Sequence, residues 1–309
     1  TPYYASLMDP LDPQCAIRRQ AVPHRDELID GDFDLLDPLG EEADMPVPGL
    51  THRYPDRVLL YVTHNCPVYC RHCTRKRKVG APESAAPHQQ IEAGLKYIEE
   101  HPEVHDVLVS GGDPLSLSDE RLVALFARLA DIPHVDWARL CTRNPVTLPQ
   151  RFTPRLIEKL SAHQPIFVHT HFNHPKECTP EAARCLKALA DAGFSVANQM
   201  VLLAGINDSV DVVRDVNRWL LRQRCRPYYL FQGDLAEGIS HFRTPVAVGL
   251  DILDGLRGHS SGMLSPKFVI DAPGGGGKVP LVPNYVEGRE DGALVVRSFN
   301  GKRYRYPER

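Results

Sequence analysis

No apolar run in this chain approaches the roughly 18 residues that would cross a bilayer as a helix, and no secretory-type apolar stretch opens it. A membrane partner is therefore not expected. Basic charge is not in excess either: 36 Lys and Arg face 39 Asp and Glu, a net charge of −3, which argues against a nucleic-acid partner. Internal repeats and low-complexity tracts are lacking, so repeat arrays are set aside. Eight cysteines are present, but their irregular spacing does not read as a disulfide framework, and a reducing cytoplasm fits. What remains is an ordinary soluble composition, 42% hydrophobic over 309 residues, long enough for one large barrel or two small domains.

Residues 1–50 are rich in Pro, Asp and Glu with weak periodicity, and are expected to form an extended N-terminal arm with little core. From 57 the pattern becomes regular. Arg57–Thr63 reads as a buried strand, and further strands are expected at 106–109, 138–141, 166–169, 195–203, 228–231 and 268–270. Helices are expected at 88–100, 118–130, 154–162, 179–191, 209–223 and 246–257. The segment 179–191 carries clear boundary signals: Thr179 as N-cap, Pro180 at the first position and Gly193 past the end. Such alternation predicts βαβ units and a parallel sheet, closed or partly closed as a barrel, with its chemistry where strands end. Asn300-Gly301 between two strand-like runs, 293–299 and 302–306, predicts a C-terminal β-hairpin. The expected division is an extension over 1–50, a barrel over 51–285 and a hairpin tail over 286–309.

The most informative residues follow the first strand. Cys66, Cys70 and Cys73 are spaced CxxxCxxC with no fourth cysteine nearby. Three thiolates can hold three corners of a [4Fe–4S] cluster and leave one iron open to a small molecule, whereas electron-transfer clusters usually have four cysteines. A zinc site completed by His72 or a distant cysteine is the plain alternative, but no second ligand pair follows.

Asp271-Ala-Pro-Gly-Gly-Gly-Gly-Lys278 is the second strong feature. Four glycines imply a tight path or close approach. The residues at 272 and 279 rule out a Walker A loop. A lysine there suits a phosphate anchor, a Schiff-base amine or a solvated turn residue. Arginines crowd the same places: Arg53, Arg57, Arg75, Arg77 and Arg143. Guanidinium groups suit bidentate binding of carboxylate or phosphate. His169, His171 and His174 fit metal ligands, hydrogen-bonding groups at the barrel mouth or plain core and surface residues.

Together Cys66-Pro-Val-Tyr-Cys-Arg-His-Cys-Thr-Arg75, Ser110-Gly-Gly-Asp-Pro114, Thr170-His-Phe-Asn-His-Pro175, His241-Phe-Arg-Thr-Pro245 and the PGGGGK loop resemble the lysine 2,3-aminomutase group of radical S-adenosylmethionine (SAM) enzymes, from about Val47 to Tyr306. The resemblance implies a partial TIM-like (βα)6 radical SAM barrel. It also implies three cofactors: a [4Fe–4S] cluster on Cys66, Cys70 and Cys73, SAM, and pyridoxal 5′-phosphate (PLP) on Lys278. Ser110, Gly111, Gly112, Asp113 and His171 would border SAM. Arg53, Arg57, Arg143 and Gln199 would surround the PLP phosphate. Arg75 would take the substrate carboxylate, and Asp234 and Asp271 its distal ammonium. The implied reaction is conversion of L-lysine to β-lysine, with arginine or ornithine as the other cationic substrates. The implied partners are the amino acid, a flavodoxin- or ferredoxin-type electron donor and a second copy of the chain. A non-catalytic metal- or nucleic-acid-binding protein is the reading from a different class.

Three departures from the family pattern stand out. Ser209 follows Asn207-Asp208 where the clostridial type has a cysteine, and no cysteine cluster precedes Arg309, so the accessory intersubunit metal site is expected to be absent. Phe231 stands where a tyrosine near PLP is usual.

Overall fold

The computed structural model describes residues 1–29, 31–80 and 88–308. Two short helices, α1 (Pro2–Ser6) and α2 (Ala16–Ala21), precede β1 (Leu50–Tyr54) and β2 (Arg57–Thr63). There follow α3 (His88–Glu100), β3 (Asp106–Gly111), α4 (Asp119–Ala130), β4 (Trp137–Cys141), the single turn α5 (Asn144–Thr147) and α6 (Pro154–Ser161). The chain continues through β5 (Ile166–Thr170), α7 (Pro180–Asp191), β6 (Ser195–Val201), α8 (Val210–Arg222), β7 (Cys225–Phe231) and α9 (Val246–Leu256). Last come β8 (Lys267–Ala272), β9 (Gly277–Leu281), β10 (Val286–Glu290), β11 (Ala293–Arg297) and β12 (Arg303–Pro307).

The strands β1 to β9 form one sheet in sequence order. Neighbours from β2 to β8 are parallel, and β1 and β9 add antiparallel edges. Parallel neighbours need a crossover, and α3, α4, α6, α7, α8 and α9 supply six of them. The helices start where side chains cap them. Thr179 accepts from the Ala182 amide at 3.1 Å, and Ser118 and Ser209 cap α4 and α8 in the same way.

Strand alternation decides which face carries chemistry. On β3 and β4, Val107, Val109, Ala138 and Leu140 are buried in the same apolar core as Leu122, Phe126 and Leu156 of the surrounding helices. Leu108, Ser110, Arg139 and Cys141 point the other way and line an internal cavity. The sheet curls until its outer strands meet: the Lys278 amide on β9 donates to the Tyr54 hydroxyl on β1 at 2.9 Å, with no ladder between them among the described residues. The result is an incomplete barrel of six βα units and a seventh parallel strand.

Two expectations need correction. Residues 1–50 do hold core: Tyr4, Cys15 and Ile17 are at most 1% exposed, and Gln20 and Glu41 are buried polar residues. Their apolar positions are too few and too scattered to give a period. The C-terminal hairpin gains a third strand, β10, so that β11 is central in a separate three-stranded sheet. All five residues of β10 are exposed, which leaves no alternation to read. Among the described residues no helix is long and apolar enough to cross a membrane.

Candidate active site

A cavity of about 440 Å³ opens on the concave face of the barrel. That volume suits a small molecule. Residues from β1, β3, β6, β8 and β9 meet on it: Arg53, Ser110, Gln199, Asp271 and Lys278. Arg57, Arg75, His171 and Asp234 complete the expected residues found there.

Lys278 owes its place to the glycine loop. Gly274, Gly275 and Gly277 have φ of 69°, 88° and 76°, the left-handed region in which side chains are strained. The loop turns β8 back as β9 and sets Lys278 directly opposite Asp271. The ammonium lies 3.0 and 3.2 Å from the two carboxylate oxygens and 5.3 Å from the centre of the Phe231 ring. Asp234 lines the same cavity and accepts from the Thr74 hydroxyl at 2.6 Å. Burial raises its carboxyl to about 6; Asp271's charge adds to this, while Thr74, Lys278 and Arg75 oppose it.

Arg75 is held by a residue with no sequence signal. Glu41 takes its Nε at 3.0 and 3.2 Å and its Nη2 at 2.6 Å, and the Tyr61 hydroxyl accepts from Nε at 3.1 Å. Burial alone would push the Glu41 carboxyl up. The charge of Arg75 and hydrogen bonds from Arg75 and Tyr61 overcome it and bring the carboxyl down to about 2. Among the described residues Arg75 Nη1 has no partner. Arg53 is anchored by Asp44 at 2.7 Å, and Arg57 lies 3.8 Å from the Tyr54 ring centre. Arg139, not anticipated from the sequence, also lines the cavity, held from below by the buried carboxylate of Asp106. Its position on the inward parity of β4 was the available signal. Arg53, Arg57 and Arg139, with the amine of Lys278, fit a phosphate-bearing aldehyde on this cavity.

The three motif cysteines, all half-buried free thiols, line a second cavity of about 520 Å³. Chain order joins the two spaces: Cys73 lines one, Arg75 the other, and Thr74 both. Burial raises the Cys66 thiol, with Asp113 and the neighbouring thiols adding to it, and raises Cys73 to about 11. Three soft donors that repel one another as thiolates fit a cationic iron–sulfur centre. Among the described residues no group of three His, Cys, Asp or Glu side chains converges as the ligand set of a single ion, so His169, His171 and His174 do not form one. His174 instead accepts from the Lys176 amide at 3.1 Å as a cap.

Gly111, Gly112 and Asp113 fix the cysteine loop rather than line the first cavity. A Cβ on Gly111 would lie 2.2 Å from the Thr63 carbonyl oxygen, and one on Gly112 2.4 Å from that of Asn65. The Gly112 and Asp113 amides donate to those same oxygens at 2.6 and 2.8 Å. The Asp113 carboxylate is buried and takes the Thr142 hydroxyl at 2.7 Å and the Arg143 amide at 2.8 Å.

Arg143 is not on the Lys278 cavity, contrary to the expectation that it flanks the phosphate. It lies past the end of β4, where alternation no longer aims it inward, and donates through Nη1 to Cys70 Sγ at 2.8 Å.

Comparison with known proteins agrees with this geometry. A family model described as radical SAM superfamily matches residues 60–216, and one described as lysine-2,3-aminomutase matches residues 253–309. Over 308 residues the chain is 52% identical to L-lysine 2,3-aminomutase of Fusobacterium nucleatum, covering all of this chain and 72% of that one. It is 51% identical to the L-lysine 2,3-aminomutase of Clostridium subterminale, covering all of this chain and 74% of the relative. Glutamate 2,3-aminomutase of Clostridioides difficile is 44% identical over 302 residues, 98% of this chain and 71% of that one. The chain belongs to the lysine 2,3-aminomutase family of radical SAM enzymes.

Proposed function

We propose that the protein is a PLP-dependent radical SAM isomerase that moves the amino group of L-lysine from carbon 2 to carbon 3. The observation that carries this reading is the single cavity on which Lys278, Asp271, Asp234 and Arg75 meet, sharing Thr74 with the cysteine-lined space. When bound, the cluster with SAM supplies hydrogen-atom abstraction at carbon 3, and PLP supplies the conjugated system that carries the migrating nitrogen.

The chain's own residues position and enclose. Arg75 offers Nη1 to the α-carboxylate while Glu41 holds its other edge. Asp234 and Asp271 receive the distal ammonium, a charge match that favours a cationic side chain over a second carboxylate. Arg53, Arg57 and Gln199 hold the cofactor phosphate, with Lys278 as the anchoring amine. Ser110 and His171 border SAM, where burial brings His171 down to about 4 and leaves it neutral at working pH. Leu59, Leu108, Val201 and Leu203 line the cavity and keep out water and stray hydrogen donors. The three thiols require reducing conditions, which supports a cytoplasmic setting. The first electron requires an external low-potential donor of the flavodoxin or ferredoxin type.

Two anaerobic measurements test the reading. Cys70→Ala should abolish reductive cleavage of SAM to 5′-deoxyadenosine, and borohydride should fix PLP on Lys278. Cleavage at the parent rate, or label on another lysine, removes it.

A further inference from the structure

Arg143 has a task that the phosphate assignment does not explain. It opens α5 directly after β4 and is 9% exposed. A buried guanidinium must place five N–H donors. Nη2 donates to Glu177 Oε1 at 2.8 Å, to Gln20 Oε1 at 2.6 Å and to the Tyr4 hydroxyl at 3.2 Å, and Nε donates to the His171 carbonyl at 3.3 Å. Glu177, fully buried, is itself fixed. Tyr4 and Gln20 donate to its Oε1 at 2.8 and 3.2 Å, and the Asn173 and His174 amides to its Oε2 at 2.6 and 3.1 Å. The ion pair with Glu177 already satisfies the charge of Arg143. Nη1 nevertheless reaches past it to Cys70 Sγ at 2.8 Å.

We propose that Arg143 tunes the redox potential of the iron–sulfur cluster: its Nη1–H donates to the Cys70 sulfur, and Tyr4 and Gln20, from the first 20 residues, keep it so aimed. The inference rests on the reading of Cys70 as a cluster ligand. Hydrogen bonds to cluster sulfurs and local charge are levers on potential. One-electron reduction adds negative charge to the cluster and its thiolates. A donor and a cation beside one thiolate therefore favour the reduced state, more so in a poorly hydrated site. The N-terminal segment thus acts on the electron-accepting step without touching substrate.

The test is a potentiometric titration of the full chain, reconstituted anaerobically, with iron and acid-labile sulfide measured alongside. Arg143→Lys keeps a cation beside Glu177, so no buried carboxylate is left unpaired. Gln20→Met leaves both charges in place and removes one contact that aims the guanidinium. With iron and sulfide at parent levels, the midpoint of Arg143→Lys should move negative by at least about tenfold in the one-electron reduction constant, roughly 59 mV. Gln20→Met should move it the same way by less. Parent-like midpoints in both variants, with clusters intact, overturn the proposal and leave Arg143 as the counter-ion of Glu177. A parent chain that assembles no iron and sulfide removes the ligand reading, and this inference falls with it.

Discussion

Asp271 and Lys278 face each other across the β8–β9 pair, with the ammonium 3.0 and 3.2 Å from the two carboxylate oxygens. The acid proposed to receive the substrate's distal ammonium is therefore occupied by the chain's own amine. With PLP held on Lys278, the Asp271 carboxylate would be free to receive the substrate's distal ammonium. The Asp271 side chain is 8% exposed, and leaving a desolvated substrate ammonium without it costs ~2–5 kcal/mol, at least about 30-fold in rate constant. Asp271→Asn should reduce kcat/KM for lysine by that factor while PLP absorbance and iron content stay at parent levels. An unchanged kcat/KM would remove Asp271 from the substrate site.

The neighbouring acid sets a pH limb. Burial first, then the charge of Asp271, raise Asp234 to about 6. A raised carboxyl is ionised above that value and neutral below it. Capture of a cationic substrate is then complete above pH 6 and fades as pH falls through it. In kcat/KM profiles for lysine, the parent should lose activity around pH 6, and Asp234→Asn should be slower but lack that limb. A limb that survives the substitution belongs to another group.

Glu41 acts through Arg75. Removing its charge frees the guanidinium from a geometry fixed at 2.6–3.2 Å. Hydrogen bonds to charged groups contribute ~1.5–3 kcal/mol, so Glu41→Gln should raise KM for lysine about 10- to 100-fold. Lysinamide, which has no α-carboxylate to meet Arg75, should bind equally well to parent and variant. Equal weakening of both ligands would make Glu41 a general support of the cavity.

Gly111 has φ of 121° and no room for a side chain, with the Thr63 carbonyl oxygen 2.2 Å from a built Cβ. Gly111→Ala must push β3 away from the start of the cysteine loop, at a cost on the order of 1–3 kcal/mol. Iron and sulfide should fall after reconstitution, and the apoprotein should melt a few degrees lower. Gly193→Ala is the control: its φ is 89°, with nothing within 4 Å of a built Cβ. It should lose stability and keep iron.

The barrel was legible because its periodicity is local. Helix α3 spans 88–100 as expected, and β2 spans 57–63 as expected, since capping and alternation act within a few residues. The edge strands β1 and β9 were not legible. β9 holds Lys278, and four of its five residues are at least partly exposed, so it reads as the tail of a glycine loop. The site divides along the same line. Arg53, Arg57, Arg75, Gln199, Asp234, Asp271 and Lys278 meet on one cavity. Glu41 reaches Arg75 over a separation of 34 residues, and Gln20 reaches Arg143 over 123. Such long-range ion pairs and hydrogen bonds leave no spacing pattern in a chain. Arg139 was missed and Arg143 misplaced for a simpler reason. They sit four residues apart, one on the inward parity of β4 and one beyond its end, where parity stops.

The central claim is tested most directly by the product formed from lysine. The full chain, reconstituted anaerobically with iron, sulfide, PLP, SAM and a reductant, is given lysine, arginine, ornithine and glutamate separately at equal concentration. The position of the amino group in each product is read by mass spectrometry. The account predicts 3,6-diaminohexanoate from lysine as the fastest rearrangement, with glutamate slowest. Arginine or ornithine outpacing lysine would keep the acidic pocket and change its substrate. Faster turnover of glutamate than of lysine, or lysine recovered with its amino group still on carbon 2, would contradict the account.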